Sequence, residues 1–243
     1  MNIIKLNAIP STNDFLKNLC STQPTENYTV VMAENQTKGK GQRGNTWKSE
    51  SLKNLTFSIL TRNSFDDKSS IFDLNIAISI SIIEAFEHLK IPNLNIKWPN
   101  DILSEGKKIS GILIENTLSG QKTISSIIGI GINVNQTHFE NLPKASSLKN
   151  ITQKEFDKEE IMLEIIARIK NNHFLVLDNK SDILWEYYHN YLFRKDVPSV
   201  FEDSNGVKFM GIIKEVLRNG KIQILLENND LKAFDLKEVQ LIY

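Results

Sequence analysis

The run Gly39-Lys40-Gly41-Gln42-Arg43-Gly44 sets cations among glycines, with Lys38 just ahead and Trp47 at its base. Glycines let backbone N–H groups turn toward an anion while the cations neutralise it. A nearby aromatic ring can cover a nucleobase or seal a closed loop. The G-x-G-x-x-G spelling alone is weak. A dinucleotide fingerprint needs the first glycine directly after a strand, a helix opening inside the motif, and an acid about 20 residues on. Here Asn35-Gln36-Thr37-Lys38 intervenes, Asn45-Thr46-Trp47 is a poor helix start, and no suitable acid ends Leu55 to Leu60. Nor does Lys-Ser/Thr follow Gly44, as a Walker loop requires. What remains is a cationic glycine loop, or a solvated turn of the same composition.

Lys97-Trp98-Pro99-Asn100-Asp101 delivers a cation, an amide and a carboxylate within one turn. Proline fixes the chain direction there, and an aromatic before it permits a cis bond. In phosphate chemistry Lys97 would meet the phosphates and Asp101 a metal or an amine; the same composition also suits a plain turn. Lys107 to Glu115 follows at once. Strand alternation predicts Lys108, Ser110 and Ile112 on one face, with Ile109, Gly111 and Leu113 on the other. Gly111 inside a strand marks close approach of a ligand or another backbone. Gly129-Ile130-Gly131-Ile132-Asn133 repeats that logic, and a buried Asn133 needs main chain or a ligand as partner. The four histidines show no metal spacing, and the lone Cys20 excludes an internal disulfide and a thiolate metal cluster.

Positioning these groups requires an α+β chain. Ile3 to Leu6 reads as a first strand, and Ser11 to Asp14 as a helix start. Tyr28 to Ala33 and Leu55 to Leu60 read as buried strands, and Ile71 to Leu89 as a buried helix. Ile96 to Trp98, Ile109 to Glu115 and Thr123 to Val134 are strand candidates, with a loop from Asn135 to Thr152. Glu159 to Leu177 and Ser181 to Phe193 carry helical periodicity. Past Arg194 the period becomes two, and Asn205-Gly206 and Asn219-Gly220 signal hairpins with positive φ at both turn residues. Residues 1–193 are thus expected to form a larger domain, and 194–243 a small β-domain, a barrel by its strand pattern.

Over 243 residues, 40% apolar and 24% charged content fits a soluble globular chain, and 29 basic against 29 acidic residues argues against a polyanion-wrapping protein. The greasiest stretch, 71–86, is broken by Asp73, Asn75 and Glu84, so no bilayer span and no membrane partner is expected. No secretory signal is visible, and a cytoplasmic location is the default expectation.

Taken in order, Ser11-Thr12-Asn13, the Gln36 to Trp47 loop, Lys97 to Asp101, Lys107 to Glu115 and Gly129 to Asn133 resemble the biotin protein ligases. The resemblance implies a class II synthetase-like mixed β-sheet flanked by helices, with a small C-terminal Src-homology-like β-barrel. It implies a two-step reaction: biotin's carboxylate attacks the α-phosphorus of Mg-ATP, then a carrier-domain lysine takes the biotinyl group from biotinyl-5′-AMP. By that resemblance Ser11, Thr12, Asn13 and Gln36 hold biotin's ureido end, and Gly39, Lys40, Gly41 and Gln42 close over biotin and the adenylate. Asn45 and Trp47 border the nucleotide. Lys97, Asn100 and Asp101 face the phosphate side, and Lys108 bridges biotin's carboxylate and the α-phosphate. Gly111 and Leu113 line the biotin slot, and Asn133 the adenosine side.

The family's loop usually reads Gly-Arg-Gly-Arg. Lys40 here keeps a charge but loses bidentate geometry, and Gln42 loses the charge; Arg43 is the cation expected to compensate. Because the chain opens almost at its first strand, a monofunctional ligase without a DNA-binding domain or DNA partner is expected. A carrier domain is the implied protein partner, with a homodimer left open. Two alternatives remain: a lipoate or octanoate ligase of the same superfamily, and a non-catalytic biotin sensor.

Overall fold

The computed structural model describes residues 2–64, 71–119 and 123–243. Strand β1 (Ile3–Ile9) leads into α1 (Thr12–Thr22), whose N-cap Ser11 accepts a hydrogen bond from the Asp14 N–H. β2 (Val30–Gln36), β3 (Leu55–Ser64), β4 (Leu94–Lys97), β5 (Asp101–Ser104), β6 (Lys107–Ser119) and β7 (Thr123–Ile132) complete a mixed sheet in the order β1-β2-β3-β7-β6-β5-β4. β1 and β2 pair in parallel across the α1 crossover, and the other neighbours pair antiparallel.

The alternation of β2 and β3 gives each face its own cover. Leu16 of α1 packs with Val31, Leu60 and Ile127 on one face. On the other, Val30, Met32, Phe57 and Ile59 meet α2 (Ile71–His88) and α4 (Lys158–Leu177). From Leu74 to Phe86, α2 is buried nearly throughout, and Ser79 and Ser81 return their hydroxyls to the carbonyls of Asn75 and Ala77. Its many β-branched residues have poor intrinsic helix propensity, so burial between sheet and α4 is what makes it a helix. No helix among the described residues is long and apolar enough to cross a membrane.

After α5 (Asp182–Tyr191) come β8 (Pro198–Asp203), β9 (Lys208–Val216), β10 (Ile222–Leu226), β11 (Leu231–Phe234) and β12 (Val239–Ile242). They form an antiparallel sheet in the order β11-β10-β9-β8-β12. Its apolar residues Phe201, Ile213, Ile222, Phe234 and Val239 belong to the same cluster as the large sheet's core. Polar ties reinforce that contact. The Trp98 indole donates to Gly220 O (2.9 Å), and Asp73 accepts from the Trp185 indole (2.6 Å) and Ser181 (2.9 Å) while lying 3.6 Å from Arg218.

The structure differs from the sequence reading in several places. β5 was hidden because its four residues follow a turn motif that dominates the local composition. α3 (Leu148–Thr152), capped by Ser147, interrupts the expected loop. The hairpins at Asn205-Gly206 and Asn219-Gly220 exist, but only their glycines have positive φ, +79° and +85°. Each closes as a longer turn, with Gly206 N–H donating to Asp203 O and Gly220 N–H to Leu217 O. The side chains of Asp203 and Asn219 accept from the turn's own N–H groups, which replaces the second positive-φ residue. The β10–β11 turn has the same form with Asn229 at φ +64°.

A Cβ at Gly220 would lie 2.6 Å from the Phe72 ring, whereas one at Gly206 meets open space. Both substitutions strain the left-handed backbone by about 1–2 kcal/mol. In urea titrations Gly220→Ala is therefore expected to lose clearly more stability than Gly206→Ala; equal losses would mean that the Phe72 contact carries nothing.

Candidate active site

In the ladder between β6 and β7, Gly111 faces Gly131 and Leu113 faces Gly129. With three of those four positions lacking side chains, a trough runs along the sheet. Trp47, at the base of the cationic loop, lies in it: a Cβ at Gly131 would sit 2.3 Å from its ring, and one at Gly111 3.1 Å. A Cβ at Gly129 would sit 2.5 Å from Asn13 Oδ1. The close approach expected at these glycines is present, and protein side chains make it.

At the closed end, the N-terminus of α1 aims its first residues inward. Thr12 donates its N–H (2.8 Å) and its hydroxyl (3.1 Å) to Gln36 Oε1, at the end of β2. Asn13 donates Nδ2 to Glu115 Oε2 (2.8 Å), which leaves Oδ1 facing Ser58 Oγ at 2.6 Å. Ser58 Oγ is also 2.7 Å from the Thr12 hydroxyl. Ser58 and Glu115 fix the orientation of the very groups expected to read a ligand, yet the sequence reading gives neither a role. The available signal for Ser58 is a polar residue, fully buried, inside the apolar β3.

At the open end, Lys97 and Asp101 are register partners flanking a turn with a cis Trp98–Pro99 bond. The turn is pinned by Asn75 Nδ2 to Pro99 O (2.8 Å) and by the buried Asn100, whose Nδ2 donates to Ile112 O (2.5 Å). Asn100 therefore spends its amide N–H on the scaffold, although it borders the cleft.

Strict alternation along β6 fails at one residue. Ile102 pairs with Ser110 but Leu103 pairs with Lys108, so Ile109 is an extra residue in the strand. Such a bulge re-aims neighbouring side chains. It sends Ile109 into the core and turns Lys108 toward Gly111, contrary to the sequence expectation that they occupy opposite faces. Lys108 Nζ lies 2.6 Å from Asp101 Oδ1 and 5.6 Å from the centre of the Trp47 ring. Asp101 thus holds an amine. Among the described residues no group of three or more His, Cys, Asp or Glu could hold a metal ion.

The segment after Asn133 clamps the bulge. Lys108 N–H donates to Lys144 O (2.7 Å), and Ser146 N–H to Lys108 O (3.0 Å). Asn133, expected on the adenosine side, instead donates Nδ2 to Ser146 O (2.9 Å) and braces this segment. Of the two partners open to a buried asparagine here, main chain is the one present.

The cationic loop folds over this trough. Lys40 bridges to Thr46 in the backbone and to Asp14 in the side chain (2.6 Å), a contact that raises the lysine's pKa and keeps it charged. Both partners are nearly half exposed, so the pair is weak and easily exchanged. Gln42 opens a short 3₁₀ turn, Gln42–Gly44. The Arg43 side chain lies outside the described residues. Gly39 has only 2.4 Å between its would-be Cβ and Trp47 O, so the loop's base admits no larger residue without shifting.

Two connected clefts result. One is lined by Ser11, Thr12, Asn13, Gln36, Lys40, Gly111 and Leu113, with Trp47 as its partition. The other lies between the Lys97–Asp101 turn and the C-terminal sheet, with Asn45 and Thr46 in its lining. Gly41, Gln42, Trp47, Asn100 and Lys108 line both.

Residues 6–133 match the biotin/lipoate A/B protein ligase family, just over half of the chain. The chain belongs to that family. It is 28% identical over 195 residues to the bifunctional ligase/repressor BirA of Bacillus spizizenii, covering 77% of this chain and 59% of that protein. It therefore spans about three fifths of that relative's length. It is 36% identical over 138 residues to human biotin–protein ligase, covering 53% of this chain and 18% of that one. The solved structure of the Aquifex aeolicus biotin protein ligase in complex with biotin and ATP superposes with a TM-score of 0.82 at 29% identity, over 99% of this chain and 98% of that one. Within this biotin/lipoate ligase scaffold, the trough and the lysine-lined cleft are adjoining parts of one site.

The Trp47 indole Nε1 is buried without a hydrogen-bond partner, a state that costs about 1–3 kcal/mol. Gly131→Ala should therefore unseat the ring readily. The expected readout is a shift of the Trp47 resonance in 5-fluorotryptophan-labelled protein, assigned with Trp47→Phe; an unmoved resonance would place the ring elsewhere.

Proposed function

We propose that the protein is a biotin protein ligase, which activates biotin with Mg-ATP and transfers it to a lysine of a biotin carboxyl carrier domain. The observation that carries this reading is the junction of the two clefts at Lys108. A narrow trough with a polar closed end suits a flat bicycle, an apolar chain and a ureido head, since a few placed polar groups fix orientation in an otherwise apolar slot. A wide cleft with cationic side chains suits a nucleotide. The match to a ligase crystallised with biotin and ATP supports the same assignment of ligands.

In the first step a biotin carboxylate oxygen bonds to the α-phosphorus, and the bond to the β-phosphate's bridging oxygen breaks, releasing pyrophosphate. Bringing two unit anions to 4 Å costs about 1 kcal/mol in water and about 4 kcal/mol at an effective dielectric constant of 20. Lys108 would offset that repulsion at the point of attack, Lys97 would meet the departing phosphates, and Lys40 would leave Asp14 to cover the adenylate. Asp101 holds Lys108 oriented between turnovers. Mg²⁺ fits as an ion carried by the nucleotide, because such ions are held chiefly by substrate phosphates with one or two carboxylates; Asp101 is the carboxylate at hand. In the second step the carrier lysine's neutral amine attacks the acyl carbon, AMP leaves with the bonding pair, and the amine's proton goes to solvent. The mixed anhydride between the steps hydrolyses readily, which is why a loop must close over it.

In this reading residues 194–243 form a separate small unit that walls the nucleotide cleft, through Phe201, Ile213, Ile222 and Val239.

Lys108→Ala is expected to lower biotin-dependent pyrophosphate release by on the order of 100-fold or more, as loss of a positioned charge at a transition state does. Release at the parent rate would remove Lys108 from the mechanism. Biotin is expected to raise the melting temperature and lipoate not to; the reverse ranking would favour a lipoate ligase, and binding without pyrophosphate release a sensor.

A further inference from the structure

Lys97 and Lys108 are held differently. Lys108 is in contact with Asp101, whereas Lys97 Nζ is 3.9 Å from the same carboxylate, beyond hydrogen-bond reach. The Lys97 ammonium lies 5.2 Å from the ring centre of Tyr243, just past β12, and the Lys144 ammonium lies 4.4 Å from that same centre. Tyr243 is half-buried and stands edge-on against Phe193, with 5.1 Å between centres and 68° between planes. Burial, with the Asp101 charge as a smaller cause, pushes its phenol up, so the ring stays neutral.

An aromatic face within about 6 Å attracts an ammonium through its quadrupole. Unlike a carboxylate, it carries no net charge to cancel the cation's. Lys144 is also tied to the reacting end, because its carbonyl accepts the Lys108 N–H at 2.7 Å. One ring therefore gathers two cations, of which Lys97 lines the larger cleft and Lys144 is joined through the backbone to Lys108.

We propose that Tyr243 is a positioning residue for polyphosphate recognition: its ring helps to place the Lys97 and Lys144 ammonium groups that meet phosphate oxygens. The C-terminal segment then supplies part of the charge geometry that receives the nucleotide, besides walling its cleft. This rests on the adenylating reading above, and the test separates the two.

The ATP dependence of pyrophosphate release, with biotin saturating, is measured for the full-length parent, Tyr243→Leu and Tyr243→Phe, alongside the thermal shift given by biotin alone. Tyr243→Leu keeps apolar bulk but has no quadrupole, and is expected to raise the KM for ATP about five- to tenfold with the biotin shift unchanged. Tyr243→Phe restores the ring and should return KM to within about twofold of the parent. A parent-like KM in Tyr243→Leu overturns the proposal. So does equal impairment of both variants, which would assign the effect to the hydroxyl, and so does loss of the biotin shift in Tyr243→Leu, which would make the role structural. A parent that releases no pyrophosphate overturns the ligase reading itself, and this inference with it.

Discussion

The site is organised around charges crowded into one place: a single carboxylate, Asp101, lies 2.6 Å from the Lys108 ammonium and 3.9 Å from that of Lys97. All three side chains are largely shielded, with 20%, 33% and 18% of the side-chain surface exposed for Lys97, Lys108 and Asp101. Removing charges from water is expensive unless they are compensated. Asp101 supplies part of that compensation to both lysines. The surrounding scaffold holds this charge cluster, through the Trp98–Pro99 turn, the amide of Asn100 and the backbone clamp from Lys144 to Ser146.

The trough is the complementary device. It exists because two adjacent strands place glycines opposite each other, so the sheet surface itself becomes the floor of a slot. Trp47 lies on that floor with its indole N–H unsatisfied, while Asn13 is locked by Glu115 and Ser58. The Asn13 amide is thus rigid and the ring is attached to a loop with a weak latch, Lys40 on Asp14. A rigid reader with a movable cover suits a site that must admit a ligand and then exclude water.

The C-terminal sheet shares its apolar cluster with the large sheet, and its contacts converge on the same turn: Gly220 on Trp98, and the Tyr243 ring near Lys97. Charge placement around the Lys97–Asp101 turn therefore depends on packing between parts of the chain that are distant in sequence. Composition and periodicity cannot register such a dependence, since Tyr243 lies far from Lys97 along the chain.

The grouping of Lys40, Lys97, Lys108 and Gly111 was implied by the family resemblance of the motifs taken in order, whereas the α+β class, the buried α2 and the N-cap at Ser11 could be read from residue types and spacing, because propensity, capping and hydrophobic period are local properties. So could the meaning of the paired glycines, whose missing side chains announce close approach wherever they fall. The direction of Lys108 could not, because it hangs on one unpaired residue, Ile109, in a ladder formed with β5. Nor could the partner of Asn133, the part played by Ser58 and Glu115, or the ring beneath Lys97. Each of these is settled by which strand or segment arrives alongside, and register between distant segments is decided by packing of the assembled core, not by the order of residues within any one of them.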